Sequence, residues 1–96
     1  MVAYCMVNLT VHDADEYAKY VALSGPAAAK YNGKFLARGG KSVTKEGVAH
    51  ARNVILEFVD YDAAVNFYES PEYQEALGFA LADGVSTRSY TIVEGV

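Results

Sequence analysis

Tryptophan is absent from this chain and cysteine occurs once. A lone Cys5 cannot close an intrachain disulfide, and no CxxC or histidine-rich spacing marks a structural metal site. That usage fits a reducing, cytoplasmic setting. Basic residues are also scarce: eight Lys and Arg stand against twelve Asp and Glu, for a formal charge of −4. A nucleic-acid binder needs a basic face that displaces counterions from phosphates, so the balance argues against that class. Long apolar runs are missing as well. The longest, Met1 to Val7, falls far short of the roughly 18–20 residues that span a bilayer. The N-terminus has no basic flank and enters a strand-like stretch at once, so it does not read as a secretory leader.

What is present is apolar and aromatic. Hydrophobic residues make up 52% of the chain, with eight Tyr and four Phe, which excludes a disordered polymer. Ninety-six residues form one domain, 1–96. A chain of this size buries only about 60–65% of its unfolded surface and is marginal without extra support.

Hydrophobic spacing divides the chain into six parts, the fifth of them split. Residues Val2 to Leu9 read as a strand. Asp13 with Glu16 three residues on resembles a capping box that opens a helix. Tyr17, Tyr20, Val21, Ser24, Ala28 and Tyr31 then fall on one helical stripe, which Pro26 is expected to kink or split. Asn32-Gly33 stops that helix, with the glycine suited to the left-handed position. Lys34 to Lys41 and Arg52 to Val59 read as strands, and Lys45 to Gly47 lies in the hairpin between them. A second helix runs from about Asp62 to Glu69. Ser70-Pro71 restarts it, with serine as N-cap and proline at the first helical position. Thr87 to Glu94 makes the last strand. The order βαββαβ folds most readily as a ferredoxin-like α+β domain, a four-stranded antiparallel sheet with helices on one face.

The strands carry more apolar surface than two helices can cover. Val2, Tyr4 and Met6 point one way, while Ala3, Cys5, Val7 and Leu9 point the other; Val54, Leu56 and Phe58 likewise oppose Ile55 and Val59. An open antiparallel sheet alternates apolar and polar. The surplus predicts a homodimer with sheets packed face to face.

The segments AYCMVNL, DADEYAKY, YNGKFLARGG, VILEF, FYESPEYQEAL and the closing VEG resemble, in order, the domain of unknown function 1330 family. The resemblance spans essentially the whole chain. It implies a ferredoxin-like monomer that pairs into a dimeric α+β barrel, and no established activity. The wider superfamily of such barrels includes cofactor-free monooxygenases, small lactone isomerases and haem enzymes, an analogy of fold alone. Family members often carry basic residues in the helix after SPEYQ, whereas ALGFALAD has none here.

Arg38 and Glu57 are the candidate catalytic residues. Each interrupts an apolar strand, where a charge is costly unless it is paired or engages a ligand. A two-residue turn at Gly47-Val48 would set them directly across from each other, and a one-residue shift would part them. Arg38 would hold a substrate carboxylate or enolate, and Glu57 would act as a general base if burial raised its pKa. The bland alternative is a structural ion pair. Tyr20 and Tyr68 are the candidate substrate-binding hydroxyls, alongside Arg38; the remaining tyrosines read as core. Arg88 opens the last strand, where it either lines the barrel mouth or, as the favoured reading, is solvated; His12 reads as part of the helix entry, and Cys5 as an inert core thiol. No motif for a metal or cofactor is present.

These features support a small homodimer that binds or transforms a small organic molecule between helices and sheet, in the manner of a cofactor-independent monooxygenase or isomerase. The alternative is a non-catalytic dimeric module. Haem degradation loses ground on the missing tryptophan.

Overall fold

The computed structural model describes residues 1–96. The chain runs β1 (Ala3–Val11), α1 (Ala14–Lys30), β2 (Lys34–Arg38), β3 (Arg52–Phe58), α2 (Tyr61–Glu69), α3 (Pro71–Ala80) and β4 (Ser86–Glu94). The strands form one antiparallel sheet in the order β2-β3-β1-β4. The helices cover one face. Strand alternation sends Ala3, Cys5, Val7 and Leu9 of β1 into the core, with Leu56 and Phe58 of β3, against Tyr17, Ala28, Phe67, Tyr73 and Leu77 of the helices. This is the βαββαβ arrangement expected from the spacing.

Local chemistry sets the helix ends. Asp13 accepts the Glu16 backbone N–H at 3.1 Å and Asp60 accepts that of Ala63 at 2.8 Å, both as N-caps. Ser70 closes one helix and opens the next. Its buried hydroxyl donates to the Phe67 carbonyl at 2.6 Å and accepts the Tyr73 N–H at 3.2 Å. Ser70→Ala therefore removes both bonds at a buried joint and should cost about 1–2 kcal/mol. Urea unfolding checks this as a lower midpoint with an unchanged slope.

Three local expectations need correction. Pro26 does not split α1, which runs through it from Ala14 to Lys30. Proline leaves the Ala22 carbonyl without its helical donor, but Ala22 and Pro26 are both exposed, so water takes that bond, while buried Ala27 and Ala28 hold the following turn to the core. The left-handed residue after α1 is Asn32, at φ 61°, and not Gly33. Gly33 answers a packing demand instead, because a Cβ there would lie 2.7 Å from Phe58 Cζ. The expected two-residue turn at Gly47-Val48 is replaced by an exposed loop over residues 39–51.

The other sheet face is open within the chain. Its apolar part gathers Tyr4, Met6, Ile55 and Val93 around the two central strands, with Met6 44% and Val93 41% exposed. The opposite end is polar: Asn8, Asn53 and Ser89 lie across from one another there. Asn8 donates to Asn53, which donates to Ser42 of the loop. The apolar surplus on this face is thus a half-face patch and not a continuous surface. Only 18 of 96 residues are buried in the single chain, which leaves its core thin.

Candidate functional site

Four side chains from three elements meet at one end of the helix-covered face. Tyr17 and Tyr20 come from the α1 stripe, Tyr73 from the first turn of α3, and Arg88 from β4. Arg88 points inward because it shares its strand face with Tyr90 and Ile92, opposite Leu9 of β1. Its guanidinium donates to the hydroxyls of Tyr73 at 3.0 Å, Tyr20 at 3.3 Å and Tyr17 at 3.5 Å. It also stacks 4.7 Å from the Tyr20 ring centroid. The Tyr20 and Tyr73 hydroxyls lie 2.9 Å apart.

Donors outnumber acceptors in this cluster. A guanidinium brings only N–H donors, and each phenol adds an O–H. The phenol oxygens are already taken by Arg88, and only one O–H can be satisfied by the Tyr20–Tyr73 contact. No carboxylate neutralises the cation: the ion pairs of the chain are Lys19–Glu16 and Lys30–Glu72, both at the surface. A charge taken from water without a counterion is costly. What would complete the cluster is an acceptor with negative charge.

Ionisation follows the same logic. Burial works against the charged guanidinium of Arg88, but the neighbouring Tyr20 and Tyr73 outweigh it and hold its pKa above the ordinary range. Burial raises the Tyr73 hydroxyl, with Tyr20 adding to it, and burial with Tyr20 likewise raises Tyr17 against the opposing pull of Arg88 and Arg52. Tyr17 and Tyr73 thus remain protonated donors near neutral pH. Neither is a base.

The three tyrosines, though not Arg88 behind them, line a cleft between the helices and the sheet, walled also by Val7, Val54, Leu56 and Phe67. With its mouth counted the cleft encloses about 440 Å³, yet only about 30 Å³ of it can take the centre of a water molecule. Arg38 and Arg52 stand at the mouth. The Arg38 guanidinium packs 4.1 Å from the Phe35 ring centroid, beside Gly25 of α1. Arg52 sits over Gly39, whose φ of 73° is a left-handed conformation that disfavours a side chain there. Neither arginine has an acidic partner within ion-pair distance.

The structure does not bring Arg38 and Glu57 together. Arg38 lies across from Val54, and Glu57 lies across from Lys34 and Tyr4. The long loop and a bulge between Phe35 and Ala37 set this register, so Arg38 belongs to the cleft side and Glu57 to the open face. Tyr20 lines the cleft. Tyr68 does not line it; its ring backs those of Tyr73 and Tyr90, at 5.4 Å and 4.8 Å between centroids. Arg88, read from the sequence as solvated, is a half-buried anchor. Its signal was present in the alternation Ser86, Arg88, Tyr90, Ile92, which puts the arginine in phase with two core residues. His12 bonds Thr87 and His50 bonds Thr10, two threonines that lie directly across from each other on β4 and β1. No group of three or more His, Cys, Asp and Glu side chains converges, and no helix is long and apolar enough to cross a membrane.

Sheet order, helix placement and cleft together define a ferredoxin-like α+β protein. Residues 2–96 match the model of a family described as a domain of unknown function, DUF1330, and the chain belongs to that family. Among solved structures it is similar to a Rhodopseudomonas palustris protein of unknown function, with a TM-score of 0.78 at 19% identity, covering 99% of this chain and 82% of the other. A dimeric ferredoxin-like protein of unknown function from Jannaschia sp. CCS1 gives 0.74 at 18% identity, over 99% and 100% of the two chains. SnoaB, a cofactor-independent oxygenase from Streptomyces nogalater, gives 0.58 at 17% identity, over 99% and 93%. No protein of curated function matches the sequence.

Proposed function

We propose that this protein is a homodimer, joined through the open sheet faces, that binds a small acidic organic molecule as its anion in the cleft of each subunit. The observation that carries the reading is the donor-rich Arg88 cluster, a half-buried cation with three tyrosine hydroxyls and no carboxylate. Arg38 and Arg52 at the mouth add positive charge on a protein that is acidic overall, which draws an anion toward the cleft. The apolar half-face and the dimeric ferredoxin-like protein of Jannaschia support self-association.

The chemistry that suits this cleft is stabilisation of a substrate anion, and not proton removal by a side chain. Its lining contains no carboxylate and no histidine, and Glu57 is on the other face. A substrate whose carbon acid ionises readily would bind as the enolate or carboxylate against Arg88, and Tyr17, Tyr20 and Tyr73 would supply hydrogen bonds to the developing charge. The likeness to a cofactor-independent oxygenase supports oxygenation of such an anion, with isomerisation as the related possibility within the same class. The narrow interior, with room for about one water, favours a second reading, a non-catalytic dimeric module whose apolar residues serve core and interface.

A thermal-shift comparison tests the anion site. Aryl carboxylates and their primary amides are added at equal concentration. A carboxylate present at about a hundred times its Kd should stabilise by roughly 2.7 kcal/mol, or about 11–22 °C for a domain of this size. The amides should leave the melting temperature nearly unchanged. Equal stabilisation by amides would refute an anion site.

A further inference from the structure

A second recess opens on the flank of α1 beside the cleft. Ala14, Tyr17, Ala18 and Val21 stand at i, i+3, i+4 and i+7 and so share one helix face. With Val11 of β1 and Arg52 of β3 they line an open groove of about 450 Å³. Val11 is in phase with the buried Leu9, so the groove belongs to the helix side of the sheet and stays clear of the open face. Its depth comes from two exposed alanines, whose side chains stop at Cβ. The one charged group on its wall is Arg52. The guanidinium is half-buried, with Gly39 against it. No carboxylate lies within ion-pair distance of it, and the only guanidinium hydrogen bonds in the chain are those of Arg88. The five N–H donors of Arg52 are thus unused by the protein.

We infer that this groove is a second binding site, and that its ligand is a free medium-chain carboxylic acid held as its anion. The carboxylate takes two parallel hydrogen bonds from Arg52, the arrangement that a guanidinium fork matches. The alkyl tail lies over Ala14, Ala18 and Val21 and covers apolar surface that the chain leaves to water. Helix length sets the tail. Ala14 to Val21 spans about 10 Å of helix axis, which the chain of octanoate fills and acetate leaves mostly empty. Charge sets the head. Arg52 repels a cation, and a neutral alkyl compound gains the apolar contact alone. A compact inorganic anion would find one arginine among five apolar or aromatic residues. The site does not depend on the Arg88 cluster, so either can fail while the other stands.

The test titrates octanoate, octanol and acetate into the full-length protein and into Ala18→Leu, Arg52→Gln and Arg88→Met, by calorimetry. The wild type should bind octanoate at least about tenfold more tightly than octanol, through the charged hydrogen bonds, and about tenfold or more tightly than acetate, through the tail. Ala18→Leu fills the groove from an exposed helical position that leucine suits. It should lower octanoate affinity about tenfold or more, the tail contact being lost, while the melting temperature holds. Arg52→Gln should bring octanoate down to the level of octanol, and Arg88→Met should leave octanoate binding in place. Nuclear magnetic resonance gives a readout free of any variant: octanoate should shift the methyl signals of Val11, Ala14, Ala18 and Val21. Absence of octanoate binding, equal binding of octanol by the wild type, or methyl shifts confined to other residues overturns the groove site. Octanoate binding that survives Ala18→Leu and is lost in Arg88→Met overturns it too and places the acid at the Arg88 cluster. Octanoate in the groove with no stabilisation by aryl carboxylates supports the groove and strikes the cleft reading alone.

Discussion

Arg88→Met should lower affinity for a carboxylate ligand by at least about a hundredfold while changing the melting temperature by only a few degrees. The loss follows from the hydrogen bonds that a guanidinium makes to an anion, each about 1.5–3 kcal/mol; two of them exceed the roughly 2.7 kcal/mol that corresponds to a factor of a hundred. The small change in stability has a different origin. Arg88 is half-buried without a counterion, so its removal relieves a desolvation cost even as it frees the oxygens of Tyr17, Tyr20 and Tyr73. Methionine keeps most of the packing against the Tyr20 ring. Arg88→Lys should fall between wild type and methionine, because a single ammonium cannot serve three oxygens spread across two helices. Calorimetric titration with the carboxylate probes, paired with a thermal melt, separates the two effects. Wild-type affinity in Arg88→Met would remove Arg88 from the site.

Ile55→Glu should convert the proposed homodimer to a monomer. Ile55 lies on β3 directly across from Met6, in the middle of the apolar half-face. Two-fold symmetry would put the new carboxylate into the interface twice, near Glu57 of the same strand. A buried charge without a partner costs about 3–5 kcal/mol, so the dimer dissociation constant should rise by about a thousandfold or more. Light scattering at micromolar concentration would then report a single chain, and the melting temperature should fall, because the single chain keeps only a thin core. A dimer that persists would place the interface elsewhere.

Element order could be read from the sequence because it depends on local periodicity. The α1 stripe from Tyr17 to Tyr31 repeats at helical spacing, β1 and β3 are short apolar runs rich in β-branched and aromatic residues, and Ser70-Pro71 marks a helix restart through capping chemistry. Each of these signals lies within a few residues. The surplus apolar face was legible for the same reason, since alternation assigns faces before any partner is known. Pro26 shows the limit: a local rule predicted a break, and burial of Ala27 and Ala28 overrode it.

The site was less legible. Arg38 and Glu57 stood out as charges in apolar strands, but whether they meet depends on where β2 and β3 align. A loop over residues 39–51 and a bulge after Phe35 shift that alignment, and each one-residue step exchanges the faces. Arg88 was passed over because its partners are distant in the chain. It is separated from Tyr17 by 71 residues and from Tyr20 by 68, so no local pattern shows a cation surrounded by phenols.

The scarcity of basic residues and the missing tryptophan thus have different standing. Composition and local spacing alone determined an acidic, tyrosine-rich α+β fold with its six-part order and its two-faced strands, because those properties are sums over residues or over a few neighbours. Only the tertiary structure decided that Arg88 is the cation inside and that Glu57 faces away. Those outcomes depend on strand register and on packing between elements far apart in the chain, where a shift of one residue changes which side chains can touch.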